Sequence, residues 1–149
     1  DDFVILAETH DFIRRFEELY ISNQSNRKTC STSESQEQYN VLLYGKKYNG
    51  DANNPLFKND IKIIQRAKKL HFSMDYGCLK LSTIQSFKGW DAENVLLFIE
   101  HELGSDFLKP ENIYTGITRA KSKLFIINLG NSYYDEFFAK YVNTRNTQL

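Results

Sequence analysis

Apolar residues along the chain fall into short continuous runs separated by longer stretches with helical spacing. Phe3 to Leu6 is one such run, and from His10 onward Phe12, Ile13, Phe16, Leu19 and Tyr20 recur at the period of a helix, which predicts a strand followed by a helix. Residues 22–38 hold Cys30 as their only apolar residue among Ser, Asn, Gln, Thr and charged residues, and this predicts a flexible surface connection. Tyr39 to Tyr44 reads as a second strand ending in the turn Gly45-Lys-Lys-Tyr-Asn-Gly50. After Pro55, a helix from Asn59 to Phe72 would carry Ile61, Ile64, Ala67 and Leu70 on one face. Three further strands are predicted at Cys78 to Ile84, Asn94 to Ile99 and Lys123 to Asn128. A helix from Pro110 through Lys121 separates the last two, and Tyr133 to Tyr141 forms a closing aromatic-rich helix.

Strands that are apolar throughout, rich in Leu, Ile, Val and Phe and interleaved with helices, indicate an α/β domain whose mainly parallel sheet is covered on both faces. In such sheets ligands gather where the carboxyl ends of the strands meet the following loops. The segments after Ile84, after Ile99 and before the Pro110 helix are therefore the first places to look for chemistry.

Composition narrows the picture. A length of 149 residues fits one globular domain, residues 1–149, and 41% hydrophobic with 14% aromatic residues is enough for a core. Nineteen Lys and Arg balance nineteen Asp and Glu, which excludes a strongly basic binder while leaving room for local patches. Lys58 to Phe72 is locally basic and Asp91 to Asp106 locally acidic. The two cysteines, Cys30 and Cys78, match no metal spacing and make a poor disulfide framework, so a reducing cytoplasm fits best. Apolar runs are far shorter than a membrane span requires, and the chain opens directly in a strand without an initiator Met, as a piece of a longer protein would.

Several chemistries are missing from these residues. The nearest approach to a phosphate-cradling G-x-x-x-x-G-K-[ST] is Gly45-Lys-Lys-Tyr-Asn-Gly50, but Asp51 and Ala52 follow it, and an acidic side chain there repels phosphate. No G-x-G-x-x-G or G-x-S-x-G occurs, and His10, His71 and His101 stand at no metal-ligand spacing with the cysteines.

Two segments carry a positive signal. In Leu81-Ser-Thr-Ile-Gln-Ser-Phe-Lys-Gly-Trp-Asp-Ala-Glu-Asn-Val95, a strand breaks into a polar loop. Its hydroxyls (Ser82, Thr83, Ser86), amide (Gln85) and Lys88 suit oxyanion or phosphate contacts, and Gly89 allows close approach of the backbone. An ordinary polar turn between strands would look much the same. In Glu111 to Ile127, a helix runs into a strand with Arg119 near the helix end beside Lys121 and Lys123. Cations are favoured at any helix carboxyl terminus, but an arginine there can also be offered to a phosphate across a domain interface.

Together these segments resemble a known family. Thr83-Ile-Gln-Ser-Phe-Lys-Gly-Trp-Asp91 followed by an apolar strand is similar to motif V of the superfamily 1 helicases of the UvrD/Rep type, usually T-[IVL]-H-x-[SA]-K-G-[LW]-E. Tyr114-Thr-Gly-Ile-Thr-Arg-Ala120 with Leu124 is similar to their motif VI, Y-V-[AG]-x-T-R-A-x-x-x-L. Order and separation agree, and Phe3 to Glu8 with the helix through Arg14 resembles the strand and helix that follow motif IV. The likeness is dense from Cys78 to Asn128 and weak from Ile21 to Phe72.

The resemblance implies the C-terminal RecA-like domain of an ATP-dependent DNA helicase, a three-layer fold of the P-loop NTPase type lacking the P-loop itself. It implies that ATP and Mg²⁺ are held mainly by an upstream P-loop domain of the same polypeptide, so this domain alone would be inactive. Arg119 takes the arginine-finger role, and the nucleotide-contacting set becomes Lys88, Gly89, Asp91, Thr118 and Arg119, with Asp91 on the sugar. Thr83, Gln85 and Ser86 become contacts to single-stranded DNA. Asp91 replaces the usual Glu and is one methylene shorter, and Gln85 replaces a His, keeping hydrogen-bonding capacity without a titratable ring. The stretch before Cys78 is too short for the subdomain that larger members insert there, which implies the compact branch. Two other readings stay open: a regulatory or nucleic-acid-binding module that kept the shape without the motor, and an RNA helicase of the same superfamily.

Other features read more plainly. Lys58, Lys62, Arg66 and Lys69 align on one helix face that could track a phosphate backbone but fits a solvated face better. Trp90 could stack on a base or nucleotide but is expected rather to be buried, and Tyr133, Tyr134, Phe137, Phe138 and Tyr141 to form a packing face.

Overall fold

The computed structural model describes residues 3–23, 28–74, 77–101 and 110–146, with side chains through 140. Five strands, β1 (Phe3–Ala7), β2 (Thr29–Ser31), β3 (Leu79–Thr83), β4 (Ala92–Ile99) and β5 (Ala120–Asn128), form one sheet in the order β2-β3-β1-β4-β5. Every pairing is parallel. The helices are α1 (His10–Asn23), α2 (Gln36–Leu43), α3 (Pro55–Leu70), α4 (Pro110–Ile117) and α5 (Ser132–Asn146).

The lack of alternation along β1 has the expected cause, because both of its faces are covered. Val4 and Leu6 belong to a core cluster with Ile84, Phe87, Val95, Leu97, Ile113 and Tyr134, so residues 84–91, α4 and α5 pack on that face. Ile5 and Ala7 face the other way, into a cluster with Ile13, Leu81 and Phe98 that Phe12 and Phe16 of α1 complete. The result is an α/β domain of three layers with a mainly parallel sheet, as the RecA-like expectation requires.

The connection from β3 to β4 positions half of the candidate chemistry. Thr83 is level with Ala7 at the carboxyl end of the sheet, whereas Ala92 pairs with Ala120 near its amino end. Residues 84–91 therefore return along the sheet face past β1, as a run of turns pinned by the buried side chains of Ile84 and Phe87. Parallel strands usually need a dozen or more connecting residues. Here Phe87, without any exposed surface, takes the packing place that a crossover helix would supply.

The middle of the chain departs from its sequence pattern. Residues 22–38 do not form a uniformly flexible surface connection: β2 pairs with β3, and Ser31, Thr32, Ser33 and Glu34 are all buried. Residues 24–27 of that stretch lie outside the described residues. Tyr39 to Tyr44 is not a strand, because Ser35 begins α2 with a capping box in which its hydroxyl and the Gln38 side chain cap each other's backbone amides. Only Leu43 of α2 is fully buried, with Tyr39 and Leu42 packed at its side, while Val41 is 70% exposed. That is a three-to-four residue period rather than a period of two. The third helix begins earlier than expected, at Pro55, capped by Asn54, and buries Phe57 and Ile61 while Leu70 stands in solvent.

Candidate functional site

The residues singled out by motif divide between the two ends of the sheet. At the amino-terminal end, Arg119 closes the turn after α4 and Asp91 immediately precedes β4. The amide of Ala92 donates to the Arg119 carbonyl at 2.9 Å, which stitches the two segments together. Their side chains meet as an ion pair, Arg119 Nη1 to Asp91 Oδ1 at 3.1 Å. Nε of Arg119 donates to the Thr115 carbonyl at 3.2 Å, Nη1 also reaches the Trp90 carbonyl at 3.3 Å, and Nη2 reaches the Thr118 hydroxyl at 3.3 Å. The guanidinium is thus held in one orientation by its own helix and by the 84–91 run, yet a quarter of the side chain (24%) and about half of that of Asp91 (48%) face solvent.

Lys88, Gly89 and Thr118 are exposed. Gly89 has φ +96, and a Cβ placed on it would meet no atom within 4 Å. Its glycine answers to backbone conformation and not to crowding. Trp90 departs from expectation: it is 36% exposed, its ring edge-on to Phe72 at 5.9 Å. Gly116 of the motif VI segment has a packing reason, since a Cβ there would lie 3.0 Å from a methyl of Leu97 and press on that side chain.

At the carboxyl end, Thr83 is buried and its hydroxyl accepts the Ser86 amide at 3.2 Å, so it holds the turn that presents Gln85 and Ser86. Gln85 is exposed, and its amide nitrogen donates to the side-chain oxygen of Asn112 on the first turn of α4. The rule that sends ligands to the carboxyl ends of parallel strands accounts for Thr83, Gln85 and Ser86 only. Arg119, Asp91 and Thr118 lie at the opposite end, because α4 and residues 84–91 both carry the chain back across the sheet, with Lys88 and Gly89 midway along that run.

The carboxyl end also holds groups that no motif marked. Glu100, after β4, is buried, and its carboxylate accepts the amides of Glu8 (2.9 Å) and Thr9 (2.7 Å) and the Thr9 hydroxyl (2.7 Å). It therefore occupies the amino terminus of α1, the place in a strand–loop–helix unit where a phosphate can bind. Beside it, burial first and the Glu100 charge next push the Glu8 carboxyl up to about 7, against a backbone hydrogen bond from Glu100. A second buried network joins Arg14 to Glu34 and Asp11, Gln65 to Glu34 at 2.9 Å, and the Arg14 guanidinium to the ring of Tyr39 at 4.0 Å. Single polar residues at strand ends leave no periodic or spacing signal, which is why these were not legible in sequence.

The basic stripe of α3 is solvated, with Lys58, Lys62, Arg66 and Lys69 all exposed. Of the closing aromatic face, Tyr134 and Phe138 pack on the core while Tyr133 and Phe137 are exposed, and the side chain of Tyr141 lies outside the described residues. An open depression of about 760 Å³ near the amino ends of β1 and β3 is lined by Phe3, Phe16, Tyr20 and Leu79, and none of the motif residues borders it. Among the described residues, no three His, Cys, Asp or Glu side chains are grouped to hold a metal ion, and no helix is long and apolar enough to cross a membrane. No family model and no curated protein matches the chain.

Proposed function

We propose that this chain is the second RecA-like domain of an ATP-dependent superfamily 1 DNA helicase or translocase, working in the cytoplasm beside a P-loop domain of the same polypeptide. The observation that carries the reading is the meeting of Arg119 with Asp91 across 28 residues of sequence, at one end of the sheet and half open to solvent. The ends of two motif-like segments converge there, and the donor set suits a nucleotide: a fixed guanidinium for phosphate oxygens and a carboxylate for sugar hydroxyls.

In this proposal ATP supplies the phosphoanhydride, and Mg²⁺ stays with the P-loop domain. Arg119 neutralises charge developing on the terminal phosphate when the two domains close. Asp91 keeps the guanidinium aimed while they are open, and Lys88 adds a flexible positive charge beside Gly89. At the other end of the sheet Gln85 and Ser86 meet a single strand of DNA, and Thr83 holds their turn. Residues 84–91 link the two ends, so a strand bound at one and a nucleotide at the other act on the same short, core-pinned segment.

The test is ATP turnover by the polypeptide that joins this chain to a P-loop domain, measured with single-stranded DNA and with single-stranded RNA. The proposal expects stimulation by DNA, and none from the 149-residue chain alone. Stimulation by RNA only would assign the chain to an RNA helicase. Nucleic-acid binding without turnover would favour the non-catalytic module, a reading that the existing Arg119–Asp91 ion pair also accommodates.

A further inference from the structure

Cys30 and Cys78 are the two cysteines of the sequence, and the fold brings them together. In the β2–β3 ladder Thr29 faces Leu79 and Cys30 faces Lys80, so Cys78 lies two residues before the position opposite Cys30, on the same side of the pleat. The pairing reaches this level, since the Leu79 amide donates to the Lys28 carbonyl at 3.0 Å. Diagonal neighbours of this kind remain within side-chain reach. Each is the other's neighbour across the ladder, and the nearness of Cys30 contributes, after burial, to raising the Cys78 thiol. Both are free and half-buried, open to a small reagent. Cys78 immediately precedes β3, and closing a disulfide from this diagonal position requires a local backbone shift toward Cys30.

We propose that Cys30 and Cys78 are a redox-modifiable thiol pair, closed to a disulfide by a low-molecular-weight disulfide such as glutathione disulfide, which staples edge strand β2 to β3. One cysteine thiolate attacks a sulfur of glutathione disulfide, forming a mixed disulfide and expelling one glutathione thiolate, which takes up a proton. The second cysteine gives its proton to solvent and attacks the protein sulfur of the mixed disulfide, expelling the second glutathione. Two protein thiols are oxidised to one disulfide, and glutathione disulfide is reduced to two molecules of glutathione. Burial, and then the neighbouring Cys30, raise the Cys78 thiol, so the pair reacts slowly near neutrality and faster as pH rises.

The staple acts at an edge of the sheet. β2 is three residues long, and the buried residues after it carry Glu34, which ties this edge to α1 and α3.

The test is intact-mass analysis of the folded chain after incubation with glutathione disulfide, with peptide mapping and thermal melting. Wild type should lose the mass of two hydrogens, give a cross-linked peptide joining Cys30 to Cys78, and melt at a higher temperature until dithiothreitol restores the starting value. Cys30→Ser and Cys78→Ser should each retain one glutathione, because no second thiol can expel it. Wild-type protein that stays reduced, or that keeps glutathione on either cysteine, overturns the proposal. Cross-linking equally fast in the urea-unfolded chain overturns it too, since the fold would then contribute nothing to the pairing.

Discussion

Glu100 and Glu8 are two carboxyl groups at the same end of the sheet, and their surroundings set them apart. Glu100 accepts three hydrogen bonds from the β1–α1 turn and serves as an internal anion for the helix terminus. Glu8, with one carboxyl oxygen buried and unpartnered, lies beside that charge and holds its proton up to about pH 7, against 4.5 for the ordinary group. Between these two values the folded chain keeps a proton that the unfolded chain has lost, so stability falls as pH rises through the window and levels off above it. Because Glu8 is only about half buried, solvent screening reduces the effect to about 1–2 kcal/mol. Urea denaturation at about pH 5 and about pH 8 should show that loss in the wild type, and Glu8→Gln should remove most of it. A variant with the wild-type pH dependence would place the titrating group elsewhere.

Elements built on apolar periodicity were legible in the sequence, and elements built on polar anchoring were not. β1, β3 and β4 read correctly because each is buried on both faces, whereas β5 read correctly from its Leu124–Ile127 run although only one face is covered, with Leu124 and Ile126 on the core and Phe125 and Ile127 exposed. β2 and the buried stretch after it did not, because Ser31, Thr32, Ser33 and Glu34 are held by hydrogen bonds. The Thr32 hydroxyl meets that of Ser82 at 2.9 Å, and the Ser33 hydroxyl meets His10 Nδ1 at 2.8 Å. The capping box at Ser35 was readable in principle, but apolar content at Tyr39, Val41 and Leu43 suggested a period of two. The anchoring is concentrated in Glu34, which has no exposed surface and binds both Arg14 and Gln65. Glu34→Ala leaves the Arg14 charge buried with only the half-exposed Asp11 to answer it, and should cost about 3–5 kcal/mol. Chemical denaturation measures this directly, and a cost below about 1 kcal/mol would mean the pair behaves as a surface ion pair.

On the scale of the whole molecule, a chain of zero net charge presents two chemically different ends of one sheet. The amino-terminal end of the sheet offers Arg119, Asp91 and Thr118, the carboxyl end offers Gln85 and Ser86 on a turn held by Thr83, and Lys88 and Gly89 stand exposed on the run between them. The two motif-like segments were legible in the sequence as the candidate site. Their division between opposite ends was not, because it depends on residues 84–91 crossing the sheet without a helix. The central claim is that Arg119 completes a nucleotide site shared with a P-loop domain, and the most direct measurement is ATP turnover by the joined polypeptide carrying Arg119→Ala, with single-stranded DNA saturating. The account predicts a fall of about 10³–10⁵ in turnover with folding and DNA binding retained. Turnover within a few-fold of wild type would contradict it.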